Sequence, residues 1–114
     1  MTALPKPPKH LLSGSKAWWR LVARDYALSD HQYRLLTAAA ESWDRKEAAR
    51  EAIERDGLTF TSKYGEVRPH PAVAIERDSR LAFARLVREL ALADVEEPSD
   101  TRPPRLAGRY AGRA

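Results

Sequence analysis

The sequence predicts a mostly α-helical domain, with three helices, one small β-hairpin and disordered basic tails. The chain has 114 residues, of which 43% are hydrophobic, enough for one modest domain with a core. Three segments repeat apolar residues at helical spacing, and one short stretch before the third is rich in strand-favouring residues. We therefore expect a proline-rich basic leader at residues 1–14, a helical domain at 15–94 and a disordered basic tail at 95–114.

The first helix is predicted at about residues 15–27, after the leader sequence "LPKPPKHLL". Each proline of the leader removes a backbone donor and disfavours helix in the residue before it, so an extended, flexible leader is expected. Ser13 or Ser15 can cap the helix that follows. Its apolar stripe consists of Trp18, Leu21 and Val22.

The second helix is predicted at about residues 30–56. Ser29 followed by Gln32 is a capping-box pattern, and Gly57 offers a left-handed terminus at the other end. A helix of this length spans about 40 Å, more than a domain this small covers by itself. We therefore expect part of it to project or to pack against another subunit.

A hairpin at about residues 58–69 and a third helix at about 72–93 complete the domain. The sequence "LTFTSKYGEVRPHP" combines strand-favouring residues with a glycine at a turn, and Pro71 suits the first turn of a helix. Because an isolated two-stranded ribbon is marginal in water, the hairpin is expected to lie on the helices or on a neighbouring subunit.

The chemistry-bearing residues favour neither an enzyme nor a metal protein. His70, Glu76 and Asp78 are close in sequence, but two residues on a helix are about 200° apart, so Glu76 and Asp78 cannot share a metal locally. The three histidines lack zinc-motif spacing, and capping or surface roles are expected for them. There is no cysteine, no phosphate-cradling glycine loop and no GxSxG motif. We expect no catalytic residue and no cofactor.

The positive charge is concentrated at the two ends of the chain. Residues 15–100 contain 14 basic and 16 acidic residues, whereas both ends are basic without a single acid. A polyanion such as DNA would meet these arms first, although basic ends can also serve only solubility. A β-ribbon can enter a DNA groove, although an ordinary solvated hairpin is the alternative. The candidate DNA-binding residues are Lys6, Lys9, Lys63, Arg68, Arg102, Arg105, Arg109 and Arg113.

Three tryptophans in so short a chain suggest large apolar contacts. Core packing is the default expectation for Trp18 and Trp43, whereas Trp19 falls beside the stripe of the first helix and suits a subunit interface. The candidate oligomer interface consists of Trp18, Trp19, Trp43, Ile53, Phe83, Leu86 and Leu90.

The order of segments resembles one protein family. The leader "KPPKHLL", the helix "KAWWRLVARDYAL", the long helix "HQYRLLTAAAESWDRKEAAREAI" and "DGLTFTSKYGEVRPHPAVAIERDSRLAFARLVRELAL" are similar to phage terminase small subunits. The resemblance covers roughly residues 4–93, and Gly57 through Leu92 is its most specific part. It implies a non-enzymatic, ring-forming homo-oligomer in the bacterial host cytoplasm. Its implied partners are double-stranded viral DNA and a large subunit that carries the ATPase and nuclease.

Two other classes of function stay open at this point. The first two helices and their short joint could form the helix-turn-helix of a dimeric phage regulator, although the turn glycine is missing and the second helix is acidic overall. A scaffold that binds no nucleic acid is the third possibility. No apolar run reaches about 18 residues, so we expect a soluble, intracellular protein without a membrane span.

Overall fold

The computed structural model describes residues 4–92, which form three helices and one antiparallel β-hairpin. The predicted fold class is confirmed. The tail at 95–114, predicted to be disordered, lies outside the described residues. The elements are α1 (Ser13–Asp25), α2 (Asp30–Asp56), β1 (Thr59–Thr61), β2 (Val67–Pro69) and α3 (Pro71–Leu90).

Helix α2 begins and ends where the sequence predicts. The side chain of Ser29 accepts from the Gln32 backbone N–H, while the Gln32 side chain accepts from the Ser29 N–H, so the capping box is formed. Gly57 follows the last turn at φ +89°, a backbone conformation that favours glycine, and its N–H donates to the Ile53 carbonyl. Both signals are local in sequence, which is why they set the helix bounds.

Helix α1 starts and ends two residues earlier than expected, and the predicted serine cap is wrong. Its N-cap residue is Leu12, which has no side-chain cap of its own. Asp44 of α2 takes over that role, because its carboxylate accepts from the Leu12 backbone N–H at 2.9 Å and from Ser15 Oγ at 2.6 Å. The start of α1 is therefore fixed by a contact with another helix.

Helices α2 and α3 form the central antiparallel pair. At one end the Gln32 amide donates to the Leu90 carbonyl at 3.5 Å, and at the other His70 Nε2 donates to Asp56 Oδ2 at 3.0 Å. Besides Ala40, which belongs to the apolar core, five small residues are buried on these two helices, and small side chains let two helices approach closely. They are Ala39, Ser42, Ala49, Ala72 and Ser79.

The apolar core lies at the end of this pair where α1 packs. Trp19 is 3% exposed, its ring lies 5.6 Å from that of Tyr33, and its indole N–H donates to Thr37 Oγ1 at 3.1 Å. The expectation that Trp19 faces a subunit interface is therefore wrong, because this side of α1 faces α2. The buried core residues are Leu11, Trp19, Val22, Ala23, Leu36, Ala40 and Leu90.

The hairpin occupies the opposite end of the α2–α3 pair. Phe60 pairs with Arg68 and Thr61 with Val67, and both strands are exposed along their whole length. Val67 is 70% exposed and Tyr64 is 80% exposed. Extensive packing of this ribbon against the helices is not seen in residues 4–92, and packing against a neighbouring subunit stays a prediction.

Helix α3 starts one residue earlier than expected, at Pro71, and ends at Leu90, three residues short of the predicted end. The end coincides with a left-handed backbone at Ala91, where φ is 54°. At the start, His70 Nδ1 accepts from the Ala72 N–H at 2.9 Å, which leaves Nε2 to donate to Asp56. The expected capping role is thus confirmed for His70. The imidazole joins the end of α2 to the start of α3.

Replacing Asp44 with alanine should destabilise the domain, because one carboxylate satisfies two donors at the start of α1. We expect a loss of about 1–3 kcal/mol in the free energy of unfolding. Urea denaturation followed by far-UV circular dichroism measures it. Glu51→Ala is the control, since it removes an exposed carboxylate from the same helix. Equal midpoints for the two variants would contradict the capping role of Asp44.

Replacing His70 with alanine or asparagine should separate its two contacts. Asparagine can cap a helix but is too short to keep the bond to Asp56, so His70→Asn should lose only that exposed pair, within about 1 kcal/mol. His70→Ala should lose a further ~1 kcal/mol from the cap. Urea midpoints of both variants test this. Identical losses would show that the cap contributes nothing.

Candidate nucleic-acid interface

The leader and α1 enclose a shallow surface groove of about 580 Å³, named here the leader–α1 groove. Its basic residues are Lys6, Arg20 and Arg24, and its apolar residues include Leu4, Pro5 and Leu21. Cations above an apolar floor suit a ligand that carries negative charge and some hydrophobic surface. The groove brings Lys6, a predicted DNA-binding residue, next to two arginines that sequence analysis did not select.

The groove exists because the end of the leader is fastened to α2. Leu11 is buried in the core, and His10 Nε2 lies 2.7 Å from Glu41 Oε2. The next residue, Leu12, donates its N–H to Asp44. The expectation of a flexible arm is therefore wrong for residues 10–12. A turn closed by the Leu11 N–H and the Pro8 carbonyl precedes α1, and Lys6, ahead of that turn, lies beside α1 in the groove.

Lys16, Arg20 and Arg24 follow one another at four-residue intervals and form a basic stripe along α1. The stripe was detectable in "KAWWRLVAR", had charge spacing been weighed beside apolar spacing. Arg24 is partly neutralised, because its guanidinium lies 2.9 Å from Asp25 and this hydrogen bond lowers the pKa of that carboxyl. Arg20 and Lys6 make no ion pair with any residue between 4 and 92, so their charges are available to a ligand.

A second basic surface lies on the side of α3 that faces away from α2. Arg77 and Arg80 are balanced by Asp78 at 3.2 Å and Glu76 at 3.4 Å. Arg85 and Arg88 have no such partner in the described part of the chain. These arginines were also missed, because the apolar stripe of the same helix dominated its interpretation.

The remaining predicted DNA-binding residues do not join the leader–α1 groove. Lys63 and Arg68 lie in the hairpin, at the other end of α2. Lys63 Nζ is 5.2 Å from the centre of the Tyr64 ring, and Arg68 is paired with Glu66 at 2.8 Å. Lys9 is exposed near the end of the leader. The four predicted arginines of the tail, Arg102, Arg105, Arg109 and Arg113, lie outside the described residues.

The structure brings three of the predicted interface residues into one aromatic cluster. Phe83 lies between Trp18 and Trp43, with ring centres separated by 5.6 and 4.9 Å. The cluster borders an open, mostly apolar cavity of about 370 Å³. Trp43 is 40% exposed and carries Lys46 Nζ 4.0 Å above its ring, so the expectation that Trp43 is a core residue is wrong.

The other predicted interface residues are scattered. Ile53 and Leu86 are half-buried on α2 and α3, where they stay candidates. Trp19 and Leu90 are buried within this chain's own core, so they are withdrawn from the candidate interface.

Neither a metal-binding cluster nor a membrane-spanning helix is found in residues 4–92. In this range no group of three or more His, Asp or Glu side chains is arranged to hold a metal ion. None of its helices is both long enough and apolar enough to cross a membrane.

Comparison with known proteins gives one match. The family model described as phage terminase, small subunit, matches residues 15–97, which is most of the chain. The comparison of this chain with curated proteins and with solved structures finds no match. The matched range contains α1 from Ser15 onward, and α2, the hairpin and α3 in full. The chain therefore belongs to the phage terminase small-subunit family.

Proposed function

We propose that this protein is the DNA-binding component of a viral genome-packaging machine and that it binds duplex DNA through the leader–α1 groove and the α1 basic stripe. The observation that carries the proposal is the unpaired charge of Lys6 and Arg20 beside Arg24, in a chain of the terminase small-subunit family. Guanidinium and ammonium groups on an exposed surface are the usual partners of phosphate oxygens.

The stripe has dimensions that suit a phosphate backbone. Lys16 and Arg24 are eight residues apart, which corresponds to about 12 Å along the helix axis. Measured along the duplex axis, that length corresponds to three to four phosphates of one strand, at ~3.4 Å of axis per phosphate. Such contacts position a protein on DNA without reading its sequence.

The proposal includes assembly into a homo-oligomeric ring. A single stripe makes few phosphate contacts, and several copies held together would add weak contacts into useful avidity. The partly exposed aromatic cluster of Trp18, Trp43 and Phe83 supports this part of the proposal, because exposed aromatic groups beside an apolar cavity are typical of the centre of an interface.

Family membership supports the remaining roles of the proposal. In this proposal the protein acts in the host cytoplasm and recruits or regulates the large ATPase and nuclease subunit. The basic tail, with Arg102 to Arg113, serves either DNA or that subunit. The alternative of a helix-turn-helix regulator is less well supported, since α2 carries seven acidic and five basic residues and would repel a phosphate backbone.

Removing the two arginines of the groove should weaken DNA binding and its dependence on salt. For Arg20→Ala with Arg24→Ala we expect the slope of log affinity against log salt to fall by about 2, at ~0.9 per lost phosphate contact. Fluorescence anisotropy with a labelled duplex at several salt concentrations measures both quantities.

The matched control is Arg45→Ala with Arg55→Ala. Arg45 is exposed and unpaired within residues 4–92, like Arg20, while Arg55 pairs with the next residue, Asp56, at 3.0 Å, as Arg24 pairs with Asp25. The control should keep nearly the full affinity and slope. Equal losses in the two double variants would mean that only net charge matters and that the groove is not the DNA site.

Placing a charge in the aromatic cluster should break the oligomer. We expect Trp43→Lys to reduce the mass in solution, measured by light scattering coupled to size exclusion, from a species above a tetramer towards the monomer, because an ammonium group would be buried in the contact. Far-UV circular dichroism checks that the helices are retained.

Leu81→Lys is the matched control for this experiment. Leu81 is also on the surface, 56% exposed, and lies two residues from Phe83, about 200° around α3. Its replacement should leave the mass unchanged. A wild-type protein that is a clean dimer would contradict the ring and favour the regulator.

A further inference from the structure

We propose that the leader–α1 groove also binds the acidic segment of this same chain at residues 94–100, so that the segment competes with DNA for the groove. The inference rests on the proposed DNA-binding function for its consequence, but the contact itself can be measured without DNA. It follows from the charge of the groove, the charge of the segment and the point at which the described chain ends.

The segment is the most acidic stretch of the chain. "DVEEPSD" holds four acidic residues in seven positions and no basic residue, and it separates α3 from the basic tail. The opposing surface has the reverse charge, since the leader and α1 carry five basic residues and a single acid, Asp25. That acid is already paired with Arg24. Segment and groove are therefore complementary in charge.

The segment also has the mixed chemistry that the groove offers. Val95 and Pro98 lie between the acidic residues. The groove presents Leu4, Pro5 and Leu21 beside its cations. In the bound segment, an apolar side chain would cover the apolar residues of the groove, and carboxylates would pair with Lys6 and Arg20. Duplex DNA would pair with the cations but would leave the apolar residues uncovered. The match favours a peptide of this composition.

The end of the described chain lies within reach of the groove. Leu92 packs against the core cluster that contains Ala23, and Ala23 also lines the groove. The segment begins two residues later, and seven extended residues span up to about 23 Å. Helix α1 has 13 residues and is therefore about 20 Å long, so the segment can run along it without any rearrangement of the helices.

Occupation of the groove by residues 94–100 would regulate DNA binding. An intramolecular ligand acts at a high effective concentration, so a DNA strand must displace it before reaching Arg20 and Arg24. DNA that contacts several subunits at once would displace their segments more readily than DNA that contacts one subunit, because the weak contacts add. A single chain would thus bind DNA more weakly than the assembled oligomer does.

Carbodiimide cross-linking tests the contact directly, because this reagent joins a carboxylate to a lysine amine without a spacer. In the full chain without DNA, we expect links from Glu96 or Glu97 to Lys6, Lys9 or Lys16, identified by mass spectrometry. Lys63, in the distant hairpin, should not be linked. An equal mixture of ¹⁵N-labelled and unlabelled protein distinguishes links within a chain from links between two copies.

Two pairs of variants sharpen the test. Arg20→Ala with Arg24→Ala should reduce the yield of these links severalfold, while Arg45→Ala with Arg55→Ala should leave it unchanged. Neutralising the segment with Asp94→Asn, Glu96→Gln, Glu97→Gln and Asp100→Asn should raise DNA affinity at least about fivefold, the lower range of a coupling between sites. Its control removes four exposed charges elsewhere, with Asp30→Asn, Glu51→Gln, Glu54→Gln and Glu89→Gln.

The outcomes separate this inference from the proposed function. Links within one chain to the leader or α1 lysines, which excess duplex DNA suppresses, support it. Absence of these links, links only between copies, or equal affinity gains in the two neutralised variants would overturn it. If the links form but neither the wild type nor any variant binds DNA, the groove is a peptide site and the proposed DNA-binding function is wrong.

Discussion

The close packing of α2 against α3 is the interaction on which the rest of the structure depends. Small residues such as Ala49 and Ser79 are buried along the contact, and polar bonds fasten it at both ends, from Gln32 to Leu90 and from Asp56 to His70. Small residues alone bury little apolar surface, so most of the hydrophobic stabilisation comes from the one end where α1 adds its tryptophans and Val22. At the other end, the two helices are held by the close packing of small side chains and by His70, which caps α3 and bonds to Asp56.

The acidic character of α2 has a structural explanation. Glu41 holds His10, Asp44 holds the start of α1, and Glu47 pairs with Arg50 at 3.0 Å. Glu41 and Asp44 fasten the leader and α1 to α2, whereas Glu47 pairs within α2 itself. The exposed basic residues of the leader and α1 are Lys6, Lys9, Arg20 and Arg24. Acidic residues of α2 therefore face the leader and α1, and basic residues of the leader and α1 lie on the outer side. A chain that is only moderately basic overall therefore carries a basic surface on its leader and α1.

Sequence analysis succeeded where the determining signal is local and failed where it comes from another element. The Ser29 capping box, Gly57 and the proline at the start of α3 act within a few residues, and they set their helices as predicted or within one residue. The start of α1 depends on Asp44, which is 32 positions from Leu12. Which of Trp18 and Trp19 is buried likewise depends on a contact with another helix, because the buried side of α1 is the one that meets Thr37 and Tyr33. The charge spacing of α1 was readable, but the leader–α1 groove depends on how the leader folds back.

The hairpin carries apolar side chains that remain largely exposed in a single chain. Tyr64 and Val67 are exposed on a ribbon of two three-residue strands, and such a ribbon gains little stability from its own hydrogen bonds. The hairpin lies at the end of the α2–α3 pair opposite the apolar core, so its exposed apolar groups are far from that core. Exposed apolar groups on an otherwise charged domain cost free energy unless another surface covers them. The aromatic cluster beside Phe83 is a second such surface, separated from the ribbon along the same pair. Two different apolar surfaces on one chain would support the head-to-tail contacts of the proposed ring, and such contacts close into a ring when the rotation between subunits allows it.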